Sequence, residues 1–74
     1  MRKPSDEKNR RLLAKIDEYQ RIYGLKDTDL AKAIDRSDRT LRNRRINADE
    51  MTLGELRAIV RRLNIPMAEI VPYI

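Results

Sequence analysis

Between Arg36 and Arg45 the sequence reads RSDRTLRNRR, five arginines against one aspartate, a local charge of +4 in a chain whose total is +5. If this segment is helical with Leu41 turned inward, steps of about 100° per residue send Arg39 and Asn43 to the opposite side. Arg36 and Thr40 then flank them, and Arg42 lies on the shoulder. Arginine can donate two parallel hydrogen bonds to the guanine edge in a major groove, asparagine can pair with the adenine edge, and threonine offers a hydroxyl and a methyl. The ordinary alternative is a solvated helix face. Solvated faces usually mix signs, whereas this one is all arginine apart from Asp38, which is spaced to pair with Arg42 at i, i+4. Arg44 and Arg45 weigh less, because cations near a helix C-terminus are favoured whatever the function.

No other chemistry is as well supplied. The 74 residues include no Cys and no His, which removes disulfides, Cys/His zinc sites, thiol nucleophiles and imidazole acid–base catalysis. So short a chain encloses too little volume for a substrate cavity with a catalytic shell. Neither an enzyme, a cofactor nor a bound metal is therefore expected. The acid pairs Asp27/Asp29 and Asp49/Glu50 are explained more simply as helix N-terminal acids and a solvated loop than as metal ligands. Seventeen Lys and Arg against twelve Asp and Glu favour a polyanionic partner, nucleic acid or less directly an anionic membrane. No stretch nears the roughly 20 apolar residues needed to span a bilayer, and a cytoplasmic protein is the expectation. The three Tyr are scattered and there is no Phe or Trp, so aromatic platforms for reading single-stranded RNA are missing and the core has to be aliphatic.

The elements that must position the arginines follow from periodicity. Residues 1–7 read as a flexible arm passing into a first helix that starts at about Ser5 or Asp6. Leu12, Leu13, Ile16, Tyr19, Gln20 and Tyr23 form its apolar stripe, and Gly24 ends it. Asp27 and Asp29 open a very short second helix with Leu30, Ala31 and Ile34 inward. Ser37 caps a third helix that runs to Arg45 or Ile46. Asn47 to Glu50 reads as a polar loop. Thr52 and Glu55 have capping-box spacing before Leu53, Leu56, Ile59, Val60 and Leu63, and Asn64 caps that fourth helix. Pro66 suits the first turn of a short fifth helix, which Pro72 stops. With no β-type alternation, the expected fold is all-α, a single domain of four or five helices in which the second and third are joined by a tight turn at about 27–46.

The stretch DLAKAIDRSDRTLRNRRI resembles the helix-turn-helix of the phage repressor and Cro group, the XRE family. That pattern runs Leu-Ala, two or three variable residues, a small apolar residue and Gly, then a polar cap and a recognition helix with one inward aliphatic. Leu30, Ala31 and Ile34 match its second helix, Ser37 the cap and Leu41 the inward position. Tyr23 to Leu25 looks like the family's end of helix one, and TLGELRAIVRRLNI like its fourth helix, so the likeness covers about residues 10 to 71. Asp35 stands where Gly is usual, Arg36 replaces an apolar turn residue, and Gln20 and Arg45 occupy positions where the family often has an Arg–Glu pair. Arg45 is left to find an acid such as Glu18, Asp49 or Glu55, or to turn out to phosphate.

The resemblance implies a compact lambda-repressor-like domain and base contacts from Asp38, Arg39, Thr40 and Asn43. A carboxylate is repelled by phosphates, which favours Asp38 as an orienter of Arg42 or Arg39. It implies phosphate contacts from Lys26, Arg36, Ser37, Arg42 and Arg44. It also implies C2 dimers that set their recognition helices about 34 Å apart on two half-sites. The C-terminal IPMAEIVPYI supplies candidates for that homodimer contact: Ile65, Val71, Tyr73 and Ile74. Of these Ile65, with Ile70 and Val71, is most simply core, while Tyr73 and Ile74 lie beyond the last helix. The function so implied is a sequence-specific double-stranded-DNA-binding regulator, a phage-type repressor acting by promoter occlusion. The alternative is an antitoxin-like or adaptor module that reuses the architecture for protein–protein contact, with apolar anchors in place of this polar face.

Overall fold

Apolar residues at three- and four-residue steps, interrupted by residues that tolerate a left-handed backbone, give five helices. The computed structural model describes residues 4–73, and side chains from residue 7 onward. The helices are α1 (Pro4–Tyr23), α2 (Asp27–Ala33), α3 (Asp38–Ile46), α4 (Leu53–Arg62) and α5 (Met67–Ile70), with 3-10 turns at Ala48–Glu50 and Val71–Tyr73. Among the described residues there is no strand. The all-α class read from the sequence is thus the observed one. Helix α1 begins at Pro4, a residue whose fixed φ suits a first helical position, so the arm expected over residues 1–7 is helical from that point. Residues 1–3 and Ile74 lie outside the described residues.

Three of the helices end in the same way. After α1 comes Gly24 at φ +66, after α2 Asp35 at +57, and after α4 Asn64 at +54. In each case the amide of the following residue reaches a carbonyl five residues back: Leu25 to Gln20 at 2.9 Å, Arg36 to Ala31 at 3.0 Å and Ile65 to Val60 at 3.1 Å. This is the Schellman motif, which satisfies carbonyls a helix end leaves over. Asp35 can stand in for Gly because Asp tolerates this region better than most residues, at a cost of roughly 1–2 kcal/mol. It folds the chain back so that α3 leaves the turn at an angle to α2.

The starts are equally local. Ser37 Oγ accepts from the Thr40 amide at 3.1 Å. At α4 the Thr52 Oγ1 accepts from the Glu55 amide and the Glu55 carboxylate accepts from the Thr52 amide, both at 3.0 Å, the reciprocal box expected from the spacing. Pro66 precedes α5 as its N-cap. The segment expected as a loop at 47–50 closes instead into a 3-10 turn, its Asp49 tied to Asn9 of α1 at 2.9 Å.

Leu12, Ile16, Leu30, Ala31, Ile34, Leu41, Leu56, Ile59, Val60, Leu63, Ile65 and Ile70 form one aliphatic core drawn from all five helices. Tyr23, expected on the inward stripe of α1, is half exposed, because α1 ends where the chain turns away toward α2. Gln20 takes its share of the stripe and is buried. α5 ends at Ile70, ahead of Pro72 as expected, and the chain goes on as a 3-10 turn through Tyr73 that packs on α1. Tyr73 is accordingly half-buried against the core and is not the free projection the sequence suggests.

Candidate nucleic-acid interface

Leu41 is 1% exposed, and this single anchor fixes the rotation of α3. With it buried, Asp38, Arg39, Arg42 and Asn43 are exposed and Thr40 is half-buried. Among the described residues Arg39 and Arg42 form no ion pair, and the side chain of Asn43 makes no hydrogen bond to protein. Asp38, expected to orient Arg42 or Arg39, pairs with neither; both arginines stand free of it. The Ser37 hydroxyl donates to Thr40 Oγ1 at 3.1 Å while its oxygen caps the helix. The proton of Ser37 is therefore already used, and that of Thr40 remains available. The outward set of α3 thus offers two guanidinium groups, one carboxamide and one hydroxyl, with every exposed side chain from Asp38 to Arg45 polar and Ile46, 79% exposed, the apolar residue at the helix end.

The end of the helix is different. Arg44, expected at phosphate, is only 21% exposed. Its Nε donates to Glu55 Oε1 at 3.1 Å and its Nη1 to Glu50 Oε2 at 3.4 Å. Two carboxylates hold it between α3 and α4, which corrects the expectation of a free phosphate ligand. Arg36 is 58% exposed and its Nε lies 3.5 Å from Glu55 Oε2, a looser association. The Thr52 amide above all, then the Arg44 guanidinium and the charge of Arg36, hold the Glu55 carboxyl below the usual carboxylate range against the opposing effect of burial.

Arg45 finds none of the acids offered to it by the sequence. Its Nη2 donates to Asp17 of α1 at 2.6 Å and to the Gln20 side-chain oxygen, and its Nε donates to Asp27 of α2 at 3.4 Å. Gln20 in turn donates through Nε2 to Asp27 at 3.0 Å. Gln20 therefore acts as acceptor and relay, and one polar cluster joins α1, α2 and α3. Sequence reasoning gives Glu55 to the cap and offers it to Arg45, and the structure gives it to the cap and Arg44. Asp17 and the relay through Gln20 have no local signal, since their partner is 25 or more residues away.

Lys26 is exposed at the start of α2, where its amide donates to Asp29 Oδ2 at 2.8 Å. Ile65, a candidate for self-association, is 4% exposed, because the Schellman turn at Asn64 folds it back under α4; it belongs to the core. Val71 is 59% exposed and Met67 50%, leaving these as the apolar surface of the C-terminal segment, while Ile74 lies outside the described residues. That segment is fastened to α1 by Glu69, which accepts from Lys15 at 3.0 Å and from the Tyr19 hydroxyl at 2.5 Å. Both donors hold the Glu69 carboxyl below its ordinary range, Tyr19 first. No helix of the described residues is long and apolar enough to cross a membrane. Comparison with family models, with curated proteins and with solved structures gave no match.

Proposed function

We propose that this chain is a sequence-specific reader of double-stranded DNA, a regulator of the Cro-like kind that acts by occupying a promoter, with α3 as the element entering the major groove. One observation carries the reading. Arg39 and Asn43 stand exposed opposite a fully buried Leu41 with Arg42 exposed on the shoulder, and both arginines are without an acidic partner among the described residues. Two guanidinium groups left open to solvent on one short helix concentrate positive potential where a polyanion can reach it.

In this mechanism Arg39 and Asn43 read base edges and Thr40 adds its hydroxyl, each good bidentate contact contributing about 1–3 kcal/mol of discrimination. Arg42 and Lys26 supply affinity through phosphate and counterion release. Two copies bind the two half-sites of a palindrome, with Met67 and Val71 as the apolar surface available for their contact. An adaptor module would need several apolar anchors on the outward face of α3; that face carries one exposed apolar side chain, Ile46 at the helix end, and is otherwise polar, which supports the DNA reading.

Selection of bound sites from a random duplex pool tests this. The expected result is enrichment of a motif with two-fold symmetry whose affinity falls steeply with salt; a pool that stays random after repeated rounds contradicts sequence-specific reading.

A further inference from the structure

Two of the five arginines in the 36–45 segment converge on one carboxylate. Glu55 lies in the first turn of α4 and is 6% exposed. Its Oε1 accepts from the Thr52 amide at 3.0 Å and from Arg44 Nε at 3.1 Å. Its Oε2 is buried and accepts no hydrogen bond, with Arg36 Nε 3.5 Å away. A capping box needs only the first of these contacts, and glutamine serves in it as well as glutamate. The buried charge between two guanidinium groups therefore exceeds what the cap requires, and burying it is costly unless it is compensated.

Resting on the DNA-reading role of α3, we infer that Glu55 is a positioning residue for specificity: it withholds Arg44, and more loosely Arg36, from the phosphate backbone. Phosphate contacts add affinity for every sequence alike, whereas base contacts add it for one. For Arg44 to reach phosphate it would have to leave a buried carboxylate without its charged donor, which opposes the exchange. Arg36, half out in solvent and with no hydrogen bond to Glu55, is the easier of the two to release. By keeping these cations occupied, Glu55 lowers the sequence-independent background against which Arg39 and Asn43 discriminate.

The test is Glu55→Gln, which preserves the cap, measured on the selected site and on a random duplex over a series of salt concentrations. On random DNA the plot of log affinity against log salt is expected to steepen by about 0.9 to 1.8, one or two added phosphate contacts. The ratio of selected-site to random affinity falls with it. Glu18→Gln, which makes the same change in net charge on α1, leaves slope and ratio at the wild-type values. Arg44→Gln reads the same claim without touching the cap: its slope on random DNA is unchanged, and a loss of about 0.9 would show Arg44 already on phosphate and overturn the inference. An unchanged slope in Glu55→Gln, or weaker binding to both duplexes, overturns it too. A wild-type protein that does not discriminate between duplexes overturns the DNA reading and this inference together, whereas a discriminating wild type with an unresponsive Glu55→Gln overturns the inference alone.

Discussion

Arg39 and Arg45 are six residues apart on the same nine-residue helix, yet one stands unpaired in solvent and the other is four-fifths covered by three polar neighbours. The helix itself does not distinguish them. Asp17, Asp27 and Glu50 gather at the C-terminal end of α3, Glu55 reaches both Arg44 there and Arg36 ahead of the helix, and none of the four pairs with Arg39 or Arg42. One end of α3 is therefore a structural clamp and the front is chemically open. Charge counted along the sequence measures neither. What decides a role for each arginine is which helices bring carboxylates to it, and by that measure the +4 of the segment reduces to Arg39, Arg42 and a half-released Arg36.

The comparison is broken most severely by removing the anchor shared by both regions. Leu41→Ala is expected to lose about 2–5 kcal/mol of unfolding free energy through the cavity it leaves. Denaturant titration would measure it, and a loss well below this range would mean that Leu41 does not fix the rotation of α3. Next in size is Arg45→Ala, which strips the buried Gln20 oxygen of its donor and removes the polar link from α3 to Asp17 and Asp27, at about 1–3 kcal/mol. Arg39→Ala serves as its counterpart, and as a substitution of an unpaired surface residue it is expected to stay within about 0.5 kcal/mol of wild type. Equal losses for the two would erase the distinction drawn here.

A smaller effect sharpens the clamp side through pH. The Glu55 and Glu69 carboxyls are held below their ordinary range in the folded chain. The folded state thus binds fewer protons than the unfolded one, so their contribution to stability is complete above the ordinary carboxylate range. It is lost as pH falls through that range toward the folded values. Thermal melts taken from about pH 7 to about pH 3 should show a flat region followed by a decline, and Glu55→Gln should reduce the decline. A wild-type melting temperature that rises on acidification contradicts the assigned ion pairs.

Much of this fold could be read before the structure because its signals are local. Thr52 and Glu55 cap across three residues, Ser37 across three, and Gly24, Asp35 and Asn64 each terminate a helix through their own backbone preference. Leu41 and the outward positions of Arg39 and Asn43 followed from helical angle alone. What local pattern could not supply was partner choice. Arg44 meets Glu55 and Arg45 meets Asp17 only because the fold brings the start of α4 and the side of α1 within reach of the end of α3, and the side of Tyr73 against α1 depends on the turn that carries it there. Gln20 looked like a missing charge and proves to be a relay, a difference that only its distance from Asp27 reveals. Ile65 was ambiguous for a related reason, since a one-residue change in where α4 ends would have turned it outward.

The most direct measurement of the central claim is the affinity of Arg39→Ala for the selected duplex and for a random one, at a single salt concentration, beside wild type. The account predicts a drop on the selected duplex corresponding to about 1–3 kcal/mol with little change on the random one, and tolerance of any base at one position of the site. The same loss on both duplexes, or no loss on either, would contradict it.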